Sequence, residues 1–157
     1  MKITTLCYIT CNDKMLMLYR NKKENDENAD KWVGIGGKFE AGETPEECIL
    51  REIYEETGLV PRKLNYRGII TFVSDLYGTE YMHLFTASDC TGKIYDTCDE
   101  GILEWIPKKE IASLPLWEGD HLFLELLNSD RPFFSLKLCY EGDRLVSAIL
   151  DRKELKI

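Results

Sequence analysis

Three glutamates, Glu52, Glu55 and Glu56, are the residues of this chain best suited to chemistry. On a helix of 3.6 residues per turn they fall within roughly 100° of one another. Neighbouring carboxylates repel by a few tenths of a kcal/mol per pair unless a cation lies between them. Hard oxygen ligands of this kind favour magnesium or manganese. The cluster therefore predicts a divalent metal site, and the alternative is a solvated glutamate-rich helix in which Arg51 pairs with Glu47 and Glu55.

A glycine-rich segment, residues 32–37, precedes these glutamates. Glycine lets the backbone approach a ligand closely, and in a strand it often marks such an approach. Gly36 and Gly37 can expose backbone groups beside the carboxylates, where a phosphate and its magnesium ion would lie. The combination favours the metal-site interpretation over the solvated helix.

The helix that must position the glutamates has clear start and stop signals. Thr44 is suited to the N-cap, Pro45 to the first helical position, and Glu47 completes a capping box. Gly58 supplies the stop. The expected apolar face consists of Ile49, Leu50, Ile53 and Tyr54.

The rest of the chain predicts more strands than helices. Strands are expected at residues 4–10, 14–19, 64–73, 81–88, 102–106, 133–140 and 144–150, and a second helix at 117–127. The polar segment 21–31 is expected to form an exposed loop. This mixed order favours an α+β or α/β fold in which helices sandwich a mixed β-sheet.

Composition limits the classes of protein to which the chain can belong. Its 157 residues suit a single domain spanning 1–157, and the net charge of −8 argues against binding a nucleic-acid polymer. No apolar run reaches the roughly 20 residues of a membrane span, and no signal peptide is apparent, which predicts a cytoplasmic protein without a membrane partner. The sequence gives no indication of oligomeric state.

Six cysteines lack paired C-x-x-C spacing. We expect them to be buried free thiols without a role in catalysis. A zinc site formed by Cys7, Cys11, Cys90 and Cys98 is the alternative.

The segment from Gly37 to Leu59 resembles the Nudix box, G-x5-E-x7-R-E-U-x-E-E-x-G-U. Every fixed position of that pattern is filled. With average residue usage, chance agreement at nine positions is on the order of one in a billion per starting point. The strand, loop and helix predicted above also form the context that the Nudix fold uses.

The resemblance implies hydrolysis of a nucleoside diphosphate linked to another group, with magnesium, or manganese as a substitute, as the cofactor. The implied metal ligands are Gly36, through its carbonyl, Glu52, Glu55, Glu56 and Glu100. Arg51 and Glu43 would orient the cluster. The general base stays open between Glu55 and Glu56.

Outside the box, the chain resembles the oxidised-purine nucleoside triphosphatases of this family, the MutT-type 8-oxo-dGTP diphosphatases. By that resemblance Trp117 would face the purine and Asp120 would hydrogen-bond to its edge; the alternatives are core packing and a favourable acid in the first helical turn. The other implied substrate-binding residues are Thr5, Arg20, Lys38 and Phe72. Val33 and Gly119 depart from the relatives, which often carry Asn and Asp there, so two polar base contacts would be missing.

The leading functional hypothesis is hydrolysis of an oxidised purine nucleoside triphosphate, such as 8-oxo-dGTP, to the monophosphate and pyrophosphate, which would cleanse the nucleotide pool and assist DNA repair. Another Nudix activity, on a dinucleotide, a nucleotide sugar or a capped RNA end, is the nearest alternative. A nucleotide sensor without catalysis is the third possibility.

Overall fold

A computed structural model describes residues 1–22 and 25–157 of the chain. The strands within them are β1 (Lys2–Cys11), β2 (Lys14–Arg20), β3 (Trp32–Val33), β4 (Ile35–Lys38), β5 (Val60–Ser74), β6 (Gly78–Thr91), β7 (Thr97–Cys98), β8 (Gly101–Pro107), β9 (Phe134–Glu141), β10 (Arg144–Leu150) and β11 (Lys153–Leu155). The α-helices are α1 (Pro45–Thr57) and α2 (Glu118–Leu127), and a short 3₁₀ helix spans Lys108–Ser113. None of the helices in these ranges is both long enough and apolar enough to cross a membrane.

The strands form one mixed sheet in the order β11-β10-β9-β5-β6-β1-β2-β8-β7, with β3 paired to β2 and β4 paired to β1. Strand β1 runs parallel to β6, and β5 runs parallel to β9, whereas the other pairs are antiparallel. The prediction of a mixed sheet is confirmed.

The two helices pack on opposite faces of this sheet. Neighbouring residues of β1 show the division, because side chains alternate between the faces of a strand. Tyr8 belongs to the core that contains Phe123 of α2, whereas Cys7 belongs to the core that contains Ile49 and Ile53 of α1. This arrangement is the predicted sandwich.

Helix α1 has both of its predicted ends. The Glu47 amide donates to Thr44 Oγ1 at 3.1 Å, and the Thr44 amide donates to Glu47 Oε1 at 2.9 Å. Gly58 adopts a left-handed conformation with φ of 78°, and its amide donates to the Tyr54 carbonyl. This φ explains why glycine ends the helix.

The predicted apolar face of α1 is half wrong. Ile49 and Ile53 are fully buried, but Leu50 and Tyr54 are exposed. Cys48 and Thr57 are buried in their place. The reason is that the inward side of α1 also carries glutamates, so the helix is rotated relative to the purely apolar expectation.

The prediction of an exposed loop at 21–31 is also wrong in part. Residues 23 and 24 lie outside the described residues. The side chain of Asp26 is only 5% exposed, and Glu27 and Asn28 are half-buried. Polar side chains can be buried here because they pair with one another and with Arg20 and Lys2.

Candidate active site

Helix α1 presents two glutamates inward and one outward. Glu52 and Glu56 lie within about 60° of Ile49 around the helix, on the side that packs against the sheet. The Glu52 side chain is 14% exposed, whereas that of Glu55 is 56% exposed. The three carboxylates therefore stand in different environments despite their proximity in sequence.

Arg51 connects these glutamates to the loop before the helix. Its Nε and Nη2 donate to the two carboxylate oxygens of Glu43 at 2.7 and 2.9 Å. Its Nη1 donates to Glu52 at 2.8 Å and to Glu55 at 3.2 Å, and its Nη2 also reaches the Lys38 carbonyl at 3.0 Å. Hydrogen bonding to Arg51 lowers the pKa of Glu43 to about 2. The expected pair of Arg51 with Glu47 does not form, because Glu47 caps the helix.

Glu56 carries a polar atom that the described residues leave unsatisfied. Its Oε2 is buried and has no hydrogen-bond partner among residues 1–22 and 25–157. Burial, followed by the charges of Glu100 and Glu52, raises the pKa of Glu56 to about 9. Buried polar groups are nearly always paired, so this oxygen is a candidate ligand for a bound cation.

Arginine pairs hold the neighbouring carboxylates. Arg51 binds Glu52 at 2.8 Å, and Arg20 binds Glu100 at 2.8 Å. Within the described ranges, no three His, Cys, Asp or Glu side chains converge as ready metal ligands. Each of these carboxylates has a second oxygen for a metal ion, because Arg51 binds Oε1 of Glu52 and Arg20 binds Oε2 of Glu100. The all-oxygen donor set and the unpaired oxygen of Glu56 fit magnesium or manganese.

Two glycines in β4 allow the backbone to pass between β1 and α1. A Cβ atom on Gly37 would lie 2.5–2.7 Å from the carboxylate of Glu52, and one on Gly36 would overlap the Thr5 carbonyl. Gly36 lines a cleft together with Glu52 and Glu100, and an adjacent cleft is lined by Glu52, Glu55, Glu56 and Glu100. The structure thus brings all five predicted metal ligands to neighbouring surfaces.

A cavity of about 130 Å³ lies beside β4. It is well above the roughly 10–15 Å³ that one water molecule needs. Its lining includes the predicted residues Thr5, Arg20, Phe72, Trp117 and Asp120. Lys38 lies instead in the cleft that holds Glu52.

The cavity and this cleft are adjacent and share seven lining residues. Thr4, Arg20, Glu27, Asn28, Gly36, Gly37 and Glu80 line both. Sequence reasoning missed Glu27, Asn28 and Glu80, because single polar residues in a loop or strand carry no periodic signal.

Trp117 is both a core residue and a cavity residue. It is 4% exposed, and Phe72 and Tyr140 pack edge-on to its ring. The Nζ of Lys31 lies 4.4 Å from the ring centroid, and the indole Nε1 donates to Asn28 Oδ1 at 2.8 Å. Trp117 therefore packs in the core, as one interpretation expects, and it also lines the cavity; its contact with a purine stays a prediction.

Asp120, in the first turn of α2, lines the same cavity and is 8% exposed. Burial raises the pKa of its carboxyl to about 8, although the charge of Lys31 opposes this shift. The carboxyl is therefore mostly protonated at pH 7. A protonated carboxyl can donate as well as accept a hydrogen bond.

The two departures from the relatives differ in their consequences. Val33 lines the cavity and contributes an apolar surface. Gly119 is buried outside that lining, and its amide donates to Tyr140 Oη at 2.6 Å. A Cβ atom there would lie 2.6 Å from Leu138 and from this hydroxyl. An aspartate at position 119 would therefore displace its neighbours.

The cysteines are free, as expected, but not all are buried. Cys7 and Cys48 are buried, Cys11 is exposed, and Cys90, Cys98 and Cys139 are half-buried. Cys11 is exposed because it ends β1 at the turn into β2. The described residues offer no support for the zinc alternative.

The sequence is similar to those of known proteins. Residues 1–127 match the NUDIX domain family. An "Oxidized purine nucleoside triphosphate hydrolase" of Danio rerio is 31% identical over 156 residues, which cover 98% of this chain and 96% of that protein. An "Uncharacterized Nudix hydrolase" of Bacillus subtilis is 29% identical over 157 residues, covering 97% and 96% of the two chains.

The fold is similar to that of a solved relative. The crystal structure of the MutT protein from Bacillus halodurans has a TM-score of 0.84 and 31% identity, covering 96% of this chain and 98% of that one. Nudix hydrolases generally use divalent metal ions. The chain belongs to the Nudix hydrolase family, whose members are pyrophosphohydrolases that act on nucleoside diphosphate derivatives.

Proposed function

We propose that this protein hydrolyses oxidised purine nucleoside triphosphates, such as 8-oxo-dGTP, to the monophosphate and pyrophosphate. In this role a single domain would cleanse the cytoplasmic nucleotide pool. The observation that carries the proposal is that the cavity lined by Trp117 and Asp120 shares part of its lining with the cleft that contains Glu52. The name of the Danio rerio relative supports the same substrate class.

The cavity suits a planar base. Trp117 and Phe72 provide aromatic surface on its lining, and base–aromatic stacking contributes roughly 1–3 kcal/mol per base. Asp120 supplies a carboxyl that can pair with donors and acceptors on the base edge. Stacking would bind purines in general, whereas Asp120 would distinguish their edges.

The cleft suits the phosphates and their metal ion. Glu52, Glu55, Glu56 and Glu100, with the carbonyl of Gly36, would hold magnesium or manganese. When bound, the ion supplies neutralisation of phosphate charge and a water molecule of lowered pKa. Arg51 would orient Glu52 and Glu55 through the hydrogen bonds described above.

A carboxylate of α1 would accept the proton of the attacking water. Glu55 is exposed and bound to Arg51, whereas Glu56 is buried near Glu100. Either can serve as the general base, so the assignment stays open between them. Replacing each by Gln and comparing the two rates separates the roles.

The proposal is tested with a panel of nucleotides under magnesium. We expect 8-oxo-dGTP to release pyrophosphate at a lower concentration than dGTP, ADP-ribose, dinucleotides or capped RNA. If the lowest KM were found for ADP-ribose, with AMP as a product, the protein would instead be assigned another Nudix activity. Binding of nucleotides without turnover of any panel member would assign the sensor.

Metal dependence is a separate test. Turnover should require magnesium or manganese and should disappear when EDTA exceeds the metal. Restoration by added magnesium serves as the control. Full turnover in excess EDTA would contradict the assignment of the glutamate cluster to a metal ion.

A further inference from the structure

The loop before β3 contributes an amide to the proposed nucleotide site. Asn28 lines both the cavity and the adjoining cleft. It therefore lies between the cavity proposed for the base and the cleft proposed for the phosphates. No sequence pattern distinguishes this asparagine from its polar neighbours.

The contact with Trp117 shows which branch of the Asn28 carboxamide is the oxygen and which is the nitrogen. An indole N–H can only donate, so the atom that accepts it at 2.8 Å must be the side-chain oxygen of Asn28. The amide nitrogen, with two N–H donors, then occupies the other branch of the carboxamide. No hydrogen bond within residues 1–22 and 25–157 uses this nitrogen.

The backbone of Asn28 is held as well. Its amide donates to Asp26 Oδ1 at 3.1 Å, and Asp26 Oδ2 accepts from Arg20 Nε at 2.8 Å. The Asn28 carbonyl accepts from the Lys31 amide at 3.0 Å. Because the loop and the Asn28 side chain are already held in place before a ligand binds, little conformational entropy is lost on binding.

We propose that Asn28 determines base specificity by donating a hydrogen bond from its amide nitrogen to a carbonyl oxygen of the purine. This inference rests on the proposed function. A donor at Asn28 favours bases with carbonyl groups, of which 8-oxoguanine has two. It also supplies a polar base contact in a cavity where Val33 provides none.

Equilibrium binding of the monophosphate 8-oxo-dGMP in EDTA tests this contact without the metal site. Asn28→Asp keeps an oxygen for the Trp117 indole but replaces the donor by a second acceptor. We expect at least tenfold weaker binding of 8-oxo-dGMP by calorimetry. Asn21→Asp, an equal change at an exposed position of the same loop, should bind within twofold of the unmodified protein.

A nucleotide whose base has no carbonyl group distinguishes a lost hydrogen bond to the base from a change in the structure of the loop. The deoxynucleoside monophosphate of unsubstituted purine should bind equally to the unmodified protein and to Asn28→Asp. Asn28→Ala removes the donor without adding charge and should weaken 8-oxo-dGMP more than the unsubstituted purine. Thermal unfolding of each variant confirms that it is folded.

The outcomes distinguish this inference from the proposed function. Equal binding of 8-oxo-dGMP by the unmodified protein and both Asn28 variants would overturn the inference and leave the function standing. An equal loss for both bases would overturn it too, because Asn28 would then only hold Trp117. If the unmodified protein neither bound 8-oxo-dGMP nor hydrolysed purine triphosphates, the proposed function would fail and this inference with it.

Discussion

Glu56 differs from the other glutamates of the site in its hydrogen bonding. Glu43, Glu52 and Glu55 accept hydrogen bonds from Arg51, whereas Oε2 of Glu56 is buried and has no partner in the part of the chain that the structure describes. A buried polar atom without a partner costs the folded state free energy. Its contribution is therefore expected in the binding of a cation.

Glu56→Gln should reduce turnover at least a hundredfold while leaving the fold intact, because the amide keeps the shape and loses the metal-binding charge. A hundredfold loss corresponds to about 2.7 kcal/mol in the activation free energy. The measurement is kcat with magnesium, together with the circular dichroism of the variant. Glu46→Gln, an exposed change in the first turn of the same helix, should keep normal turnover. Near-normal activity of Glu56→Gln would remove Glu56 from the metal site.

Trp117 and Asp120 should affect substrates differently. Trp117→Ala removes the stacking surface and should weaken all purine substrates together, by roughly 1–3 kcal/mol in kcat/KM. Asp120→Asn keeps the shape of the side chain but changes its hydrogen bond to the edge of the purine. The ratio of kcat/KM for 8-oxo-dGTP to kcat/KM for dGTP should therefore move closer to one. An unchanged ratio, with both nucleotides still hydrolysed by Asp120→Asn, would exclude Asp120 from base recognition.

Helix α1 is the element that sets the spacing of the glutamates, and its first turn depends on a local capping box. Thr44→Ala removes the side-chain acceptor of the Glu47 amide. The free energy of unfolding should fall by about 1 kcal/mol, which lowers Tm by roughly 2–4 °C in a chain of this size. Thr44→Ser preserves the oxygen and serves as the control. If Thr44→Ala and Thr44→Ser had the same Tm, the cap would contribute nothing to stability.

The loop before β3 is an element whose order comes from ion pairs rather than from an apolar core. Arg20 contacts Asp26 of the loop at 2.8 Å and Glu100 at 2.8 Å. One guanidinium thus touches both the loop that carries Asn28 and a predicted metal ligand. Loss of either carboxylate would leave a half-buried arginine charge less well paired.

Across the whole molecule, burial of Asp120 makes stability depend on pH. Burial raises the pKa of Asp120 to about 8 in the folded protein, whereas the ordinary pKa of an exposed aspartate is 3.8. Between these two pH values the folded state binds more protons than the unfolded state. The contribution of Asp120 to the free energy of unfolding is therefore fully present below pH 3.8 and is lost as the pH rises to about 8.

The test compares the free energy of unfolding of the unmodified protein with that of Asp120→Asn. The value for the unmodified protein minus the value for Asp120→Asn should fall as the pH rises across that window, by up to about 1.4 kcal/mol per pH unit. Urea titrations at several pH values measure it. Asp143→Asn, at an exposed position, should show no such trend. A difference that stayed constant from pH 4 to 8 would mean that the Asp120 carboxyl is ionised throughout.

The sequence by itself determined the parts of this protein that depend on local interactions. The capping box, the left-handed glycine and the spacing of Glu52, Glu55 and Glu56 lie within a single stretch of chain, so their geometry follows from helix periodicity. The Nudix pattern lies in the same stretch, and the fold and the family could be predicted from it. The residues predicted to contact the base could be named only by resemblance.

Only the tertiary structure decided which distant residues meet. Arg20 reaches Glu100 because β2 pairs with β8, in a register that places Arg20 opposite Gly101. Asn28 and Trp117 are 89 positions apart, and their contact depends on the packing of a polar loop against the start of α2. The rotation of α1, which buries Glu56 and exposes Tyr54, likewise depends on the sheet beneath it. Such contacts follow from strand pairing and burial over the whole chain, which no local pattern encodes.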